Sequence, residues 1–231
     1  MLVLITGASA GIGAAVAHAF AARGARLALV ARSADRLAEV VRQCGEAGGE
    51  ARAFVCDVTD DDAVEAMAQA VRQWRGVPDV LVNNAGAFVP GGVLETTPAT
   101  FREQLDVNVV SAFTVTRAFL AEMLQRGSGR ILMMGSVASV RGYPGGAAYG
   151  AAKHALLGLA RALREEAKGT GVSVTTLLPG AVRTGSWDGT SLPDDRFMPP
   201  QDIARLAVEV ASLSGRTVVE EVLLRPDAGD I

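Results

Sequence analysis

Apolar residues along this chain follow two alternating patterns. Short apolar runs recur at Leu2–Thr6, Arg26–Ala31, Ala51–Cys56, Val80–Val82, Arg130–Met134, Val172–Leu177 and Glu220–Arg225. Between them lie longer stretches whose apolar positions return every three to four residues: Ala14–Arg23, Asp35–Ala47, Asp60–Trp74, Pro98–Arg126, Tyr149–Lys168 and Asp202–Leu213. An unbroken apolar run suits a strand covered on both faces, and the 3.6-residue period suits an amphipathic helix. Seven strands separated by helices predict an α/β fold, a doubly wound parallel sheet with helices on both faces, in a single domain over 1–231. There is no internal repeat or linker. The stretch 184–200 is rich in Gly, Pro, Asp and Ser, and is expected to be a loop lying over the ligand crevice as a lid.

Composition narrows the function classes. Charged residues are 20% of the 231 and the net charge is −3, with no basic patch for nucleic acid or for an anionic membrane surface. Cys44 and Cys56 have no metal or redox spacing and read as reduced thiols. The chain opens almost directly on a strand and has no leader pattern, so a cytoplasmic enzyme acting on a small molecule is expected, with no metal.

Two stretches carry chemistry. Gly7-Ala-Ser9-Ala-Gly11-Ile12-Gly13 stands between a predicted strand and a predicted helix, followed by a second strand. This Rossmann-type unit brings backbone N–H groups and a helix N-terminus to a pyrophosphate. The second stretch is Tyr149-Gly-Ala-Ala-Lys153, where a phenol and an ammonium share one helix face. Two tyrosines and two lysines give four possible pairings, so a chance +4 spacing has odds of only ~2%, and Tyr143 has no such partner. A nearby cation is expected to lower the phenol from about 10 toward 7, which takes roughly 4 kcal/mol and yields a general acid/base.

Thr6-Gly7-x-x-x-Gly11-Ile12-Gly13, Asn83-Asn84-Ala85-Gly86, Asn108, Ser136, Tyr149-x-x-x-Lys153 and Pro179-Gly180-x-x-x-Thr184 stand in order along the chain. Together they resemble the short-chain dehydrogenase/reductase family over residues 2 to about 226. The resemblance implies Tyr149 as proton donor or acceptor, Lys153 as the group lowering its pKa and holding the nicotinamide ribose, Ser136 as holder of the substrate oxygen, and Asn108 as a helix interruption holding a water. It also selects Ser136 over Ser139, 13 residues before Tyr149. It implies further cofactor contacts at Ser9, Ile12, Val58, Asn84, Ala85, Gly86, Pro179, Gly180, Val182 and Thr184, with Asp57 accepting from the adenine. Asp57 also has a plainer reading, as turn and cap chemistry for the next helix.

The second strand ends at Ala31, and Arg32-Ser33 follow where a carboxylate would select NAD. A guanidinium and a hydroxyl there predict NADP(H) over NAD(H), with NAD(H) still possible. Ala10, before the second glycine, supplies no second cation. The substrate is expected to be a carbonyl or secondary alcohol, a 3-oxoacyl thioester among the candidates. The different-class alternative is a dinucleotide-binding sensor or scaffold without turnover. The apolar helices around 106–126 and 149–168 predict, with the family's habit, a homodimer or homotetramer.

Overall fold

The computed structural model describes residues 1–231. Its elements alternate as the apolar pattern predicts: β1 (Leu2–Thr6), α1 (Gly11–Ala21), β2 (Arg26–Ala31), α2 (Ala34–Glu46), β3 (Glu50–Val55), α3 (Asp61–Arg75) and β4 (Val80–Asn83) form the first part. Then come α4 (Pro98–Leu105), α5 (Ser111–Arg126), β5 (Gly129–Met134), α6 (Ala147–Glu166), β6 (Val172–Pro179), α7 (Pro200–Ser212) and β7 (Glu221–Leu224). The seven strands form one parallel sheet in the order β3-β2-β1-β4-β5-β6-β7. The chain reverses direction of travel between β1 and β4, where Leu4 is in register with both Ala28 and Leu81.

Strand periodicity sorts the core into two layers. Val3 and Ile5 point to one face, where Val16 and Phe20 of α1, Leu37 of α2 and Ile203 of α7 cover them. Leu2 and Leu4 point to the other, packed with Val64 of α3, Phe119 of α5 and Leu156 of α6. All five β1 residues are buried, which explains why this strand reads as a continuous apolar run rather than an alternating one.

The long pattern 98–126 is not one α-helix. Asp106–Val110 forms a π-turn between α4 and α5. By length and hydropathy (1.3) the whole stretch passes as a membrane span. Val115, Phe119 and Met123 nevertheless pack it against the sheet. The loop expected as a lid is folded: it holds short 3₁₀ turns at Gly185–Trp187 and Asp194–Arg196. Its base is closed by Met198, whose N–H donates to Ala181 O and whose carbonyl accepts from Arg183 N–H, both at 2.9 Å. The Trp187 and Phe197 rings pack 5.1 Å apart inside it.

Candidate active site

Every site residue expected from the sequence lies at or beyond the C-terminal end of a strand or on a helix beside it, along one crevice. Gly7, Ser9, Gly11, Ile12 and Gly13 follow β1, Arg32 and Ser33 follow β2, and Asp57 and Val58 follow β3. Asn84, Ala85 and Gly86 follow β4, Ser136 follows β5, and Pro179, Gly180, Val182 and Thr184 end or follow β6. A cavity of about 420 Å³ brings Ile12, Asn84, Gly86, Asn108, Ser136, Tyr149, Lys153 and the residues after β6 together. Gly7, Ser9, Gly11, Gly13, Ala85 and the residues after β2 and β3 do not line it.

The Gly-rich turn is held by contacts that sequence order conceals. Thr6 Oγ1 accepts from the Asn84 and Ala85 N–H groups at 3.0 Å each, and Asn84 Nδ2 donates to Thr6 O at 2.9 Å and Gly7 O at 3.2 Å. Gly7 has φ of +64°, and a Cβ there would come within 2.9 Å of Ala85 Cα. At Gly13 a Cβ would stand 2.3 Å from Gly7 O. Only glycine lets the turn close this tightly on β4. Helix α1 begins after Ala10 with no side-chain cap, so its first-turn N–H groups are available to an anion. The turn thus fits a dinucleotide pyrophosphate.

Arg32 is 79% exposed at the tip of β2, with one guanidinium nitrogen 4.0 Å from an Asp57 oxygen. Asp57 Oδ1 accepts from the Thr59 N–H at 3.0 Å and the Thr59 hydroxyl at 2.8 Å. These bonds hold the carboxyl below its usual range, with Arg32 adding a smaller effect. Of its two plainer readings, Asp57 takes the turn; the cap of α3 is Asp60, which accepts from Ala63 N–H at 3.1 Å.

Ser136 caps the short 3₁₀ turn Val137–Ser139, its Oγ accepting from Ala138 N–H at 3.1 Å. Ser139 is turned into the protein, 2% exposed, and its Oγ accepts from Ser136 N–H, so Ser136 faces the cavity and Ser139 does not. Tyr149 is half-buried on the first turn of α6, with the Phe88 ring edge-on at 5.0 Å and 78°. Lys153, one turn on and 4% exposed, lies with Nζ 5.6 Å from the Tyr149 ring centre and donates to Met134 O at 2.8 Å.

The expectation that Lys153 lowers the Tyr149 pKa is not met. Burial pushes the phenol up to about 12, the Ser136 hydroxyl pulls it back only in part, and Tyr143 adds a small upward effect. Burial also brings Lys153 down to about 8. Desolvation is the first cause for both groups, and the Lys153 ammonium, which donates to the Met134 carbonyl, is not among the effects that lower Tyr149.

Asn108 sits in the π-turn. Its Nδ2 donates to Ala87 O at 2.9 Å and Gln104 O at 3.0 Å, which leaves Oδ1 buried without a protein partner. A Cβ on Gly86 would lie 2.7 Å from that Oδ1 and 3.6 Å from Lys153 Nζ, so both polar atoms flank one point beside Gly86. Sequence reasoning missed Phe88, Tyr143 and Trp187, which line the cavity with aromatic surface, and Thr6 as the clasp of the turn. Thr6 was visible only as the residue before Gly7.

Comparison with known proteins settles the family. A family model described as short chain dehydrogenase matches residues 1–193. The chain belongs to the short-chain dehydrogenase family. It is 36% identical over 220 residues to D-threitol dehydrogenase of Mycolicibacterium smegmatis, covering 90% of this chain and 85% of that protein. An alcohol dehydrogenase from the archaeon Thermococcus sibiricus, solved in complex with 5-hydroxy-NADP, superposes with a TM-score of 0.91 at 33% identity, covering 98% of this chain and 96% of that one. A metagenomic short-chain oxidoreductase in complex with NADP gives 0.86 at 35% identity, with the same coverage of 98% and 96%. As a member of this family the protein is an oxidoreductase, and its seven-stranded parallel sheet with flanking helices matches the fold of its structural relatives.

Proposed function

We propose that this protein is an NADP(H)-dependent reductase of ketones or aldehydes, working through Tyr149, Lys153, Ser136 and Asn108. The observation that carries the reading is a protonated phenol beside a serine hydroxyl in an aromatic-lined cavity, with a Gly-rich cradle opening into the same crevice. When bound, the nicotinamide supplies the hydride. The chain's own residues handle the charge that then collects on the carbonyl oxygen. Ser136 and Tyr149 aim two hydroxyl donors at it, and Tyr149 gives up its proton. At about 12 the phenol is protonated at neutral pH but is a weaker acid than free tyrosine, so its donation depends on the positive charge of Lys153. Lys153 is fixed by Met134 O and brings positive charge beneath the phenol as it ionises. Asn108 Oδ1 and Lys153 Nζ, facing one point, suit a proton path from Lys153 toward solvent.

NADP(H) is favoured by Arg32, by the uncommitted Ser33 hydroxyl at the start of α2, and by the two structural relatives whose complexes contain NADP or its 5-hydroxy form. The 4.0 Å approach of Asp57 engages Arg32 in part, so the preference is set at roughly 1–3 kcal/mol. The cofactor contacts proposed are those at Gly7, Ser9, Gly11, Ile12, Gly13, Asp57, Val58, Asn84, Ala85, Gly86, Pro179, Gly180, Val182 and Thr184, with Arg32 and Ser33. We place the enzyme in the cytoplasm, where two free buried thiols stay reduced, as a dimer or tetramer formed on the helices around 106–126, which expose Val110 and Phe113, and 149–168.

The test follows NADPH absorbance against a panel of ketones, aldehydes and acyl thioesters. Wild type should turn over at least one class, and Tyr149→Phe should lose about 10²–10⁴ in kcat while binding NADPH as before. Near-wild-type reduction by Tyr149→Phe would sink the assignment. Binding of NADPH with no turnover across the panel would point to a sensor or scaffold.

A further inference from the structure

The substrate end of the cavity carries charges that the proposed reaction leaves unused. Among the side chains lining the cavity, only those of Lys153, Arg141 and Asp230 are charged. Arg141 Nη1 donates to Asp230 Oδ2 at 3.3 Å, and Arg225 donates to the same oxygen. Arg141 lies just beyond the 3₁₀ turn that Ser136 caps, while Asp230 comes from the segment after β7. That segment is fixed over the site: Gly180 N–H donates to Leu224 O at 2.8 Å, and a Cβ on Gly180 would meet Pro226 at 3.1 Å. The ion cluster therefore ties together two sides of the cavity mouth. The rest of that mouth is apolar, from Val137, Tyr143, Pro144 and Trp187. The Asp230 carboxylate is the enclosed member, with its side chain 29% exposed against 67% for Arg141.

We propose that Asp230 is a positioning residue that sets substrate charge: by occupying Arg141 it withholds the guanidinium from the cavity. This rests on the reading of the cavity as a carbonyl-substrate site. A substrate carboxylate would meet a like charge and an arginine already paired, whereas a neutral compound with an aromatic body meets neither obstacle. Specificity of this kind comes from the repulsive element as much as from the attractive one. With the Asp230 charge removed, Arg141 and Arg225 lose their shared counter-ion. The planar fork of Arg141 then faces the mouth free to take a carboxylate in two parallel hydrogen bonds.

The experiment compares 4-acetylbenzoate with its methyl ester, two compounds with one reacting carbonyl and different charge. Reduction by NADPH and calorimetric binding to the NADP-loaded protein are both measured for wild type, Asp230→Asn, Asp230→Ser and Asp230→Asn/Arg141→Gln. Either Asp230 variant should raise the acid-to-ester ratio of kcat/KM, and tighten binding of the acid, by about tenfold. The double variant should keep only the part that comes from lifting the Asp230 charge, and fall well below either single variant. A ratio unmoved in both single variants, or a gain undiminished in the double variant, overturns the proposal. So does failure of the acid to bind any better, whether or not either compound is reduced. Binding of both compounds without reduction by wild type counts instead against the proposed reaction, and the binding comparison still decides the role of Asp230.

Discussion

Lys153→Met should make the protein more stable and destroy its proposed catalytic site. Lys153 is 4% exposed and its only hydrogen bond goes to Met134 O. Burial lowers it to about 8 from an ordinary 10.5, which corresponds to about 3 kcal/mol of unfavourable burial of the charged form. Met keeps the stem and removes the charge, while losing a hydrogen bond to a carbonyl that then has one partner fewer, about 1 kcal/mol the other way. The net expectation is roughly 1–3 kcal/mol of added stability near neutral pH. Its pH dependence follows from the direction of the shift. The folded-state value is depressed, so between about 8 and 10.5 the unfolded chain holds a proton that the folded chain has shed. Wild-type stability should therefore rise through that window, and the variant's should not. The gap between them should be constant below about pH 8 and close by pH 10.5. Urea unfolding followed by far-ultraviolet circular dichroism at several pH values, at one fixed protein concentration, measures it. A variant that is less stable at pH 7, or a gap that does not narrow on the alkaline side, would refute the reasoning.

Three shorter predictions concern the turn, its clasp and the cofactor. Gly13→Ala places a Cβ 2.3 Å from Gly7 O, and should abolish NADPH binding in a fluorescence titration and lower the melting temperature. Thr6→Val strands the Ala85 N–H, whose partner is the Thr6 hydroxyl, and should cost about 1–3 kcal/mol in denaturant unfolding. Ala31→Asp with Arg32→Ala should lower kcat/KM for NADPH and spare that for NADH on the same substrate; equal values for the two cofactors in wild type would show that Arg32 does not read the phosphate.

The inner strands were legible because both sheet faces are covered there, so each reads as an apolar run, while the edge strands β3 and β7 alternate with exposed residues; the observed bounds differ from the expected ones by a residue or two. The π-turn was not legible in the apolar pattern; only the family resemblance pointed to a helix interruption at Asn108. Apolar spacing continues through Val107, Val109 and Val110, and a single added residue per turn leaves no gap in such a pattern. The order of Ser136, Tyr149 and Lys153 was readable as motif, but their electrostatics were not, because the Tyr149 shift comes from burial by residues distant in sequence. Phe88 against Tyr149 and Asp230 against Arg141 are contacts between segments that only the sheet order brings together.

That order has a consequence during synthesis. β1 pairs with β2 soon after both emerge, but its other edge waits for β4: Ile5 is in register with Val82. At ordinary elongation speeds the intervening chain takes roughly 4–15 s to appear. Throughout that interval β1, joined on one side first by β2 and then by the β3-β2 pair, presents its other edge with no charge or proline along Leu2–Thr6 to blunt it. A strand interior to the finished sheet is thus left open to wrong partners on the ribosome, and slower elongation lengthens its exposure.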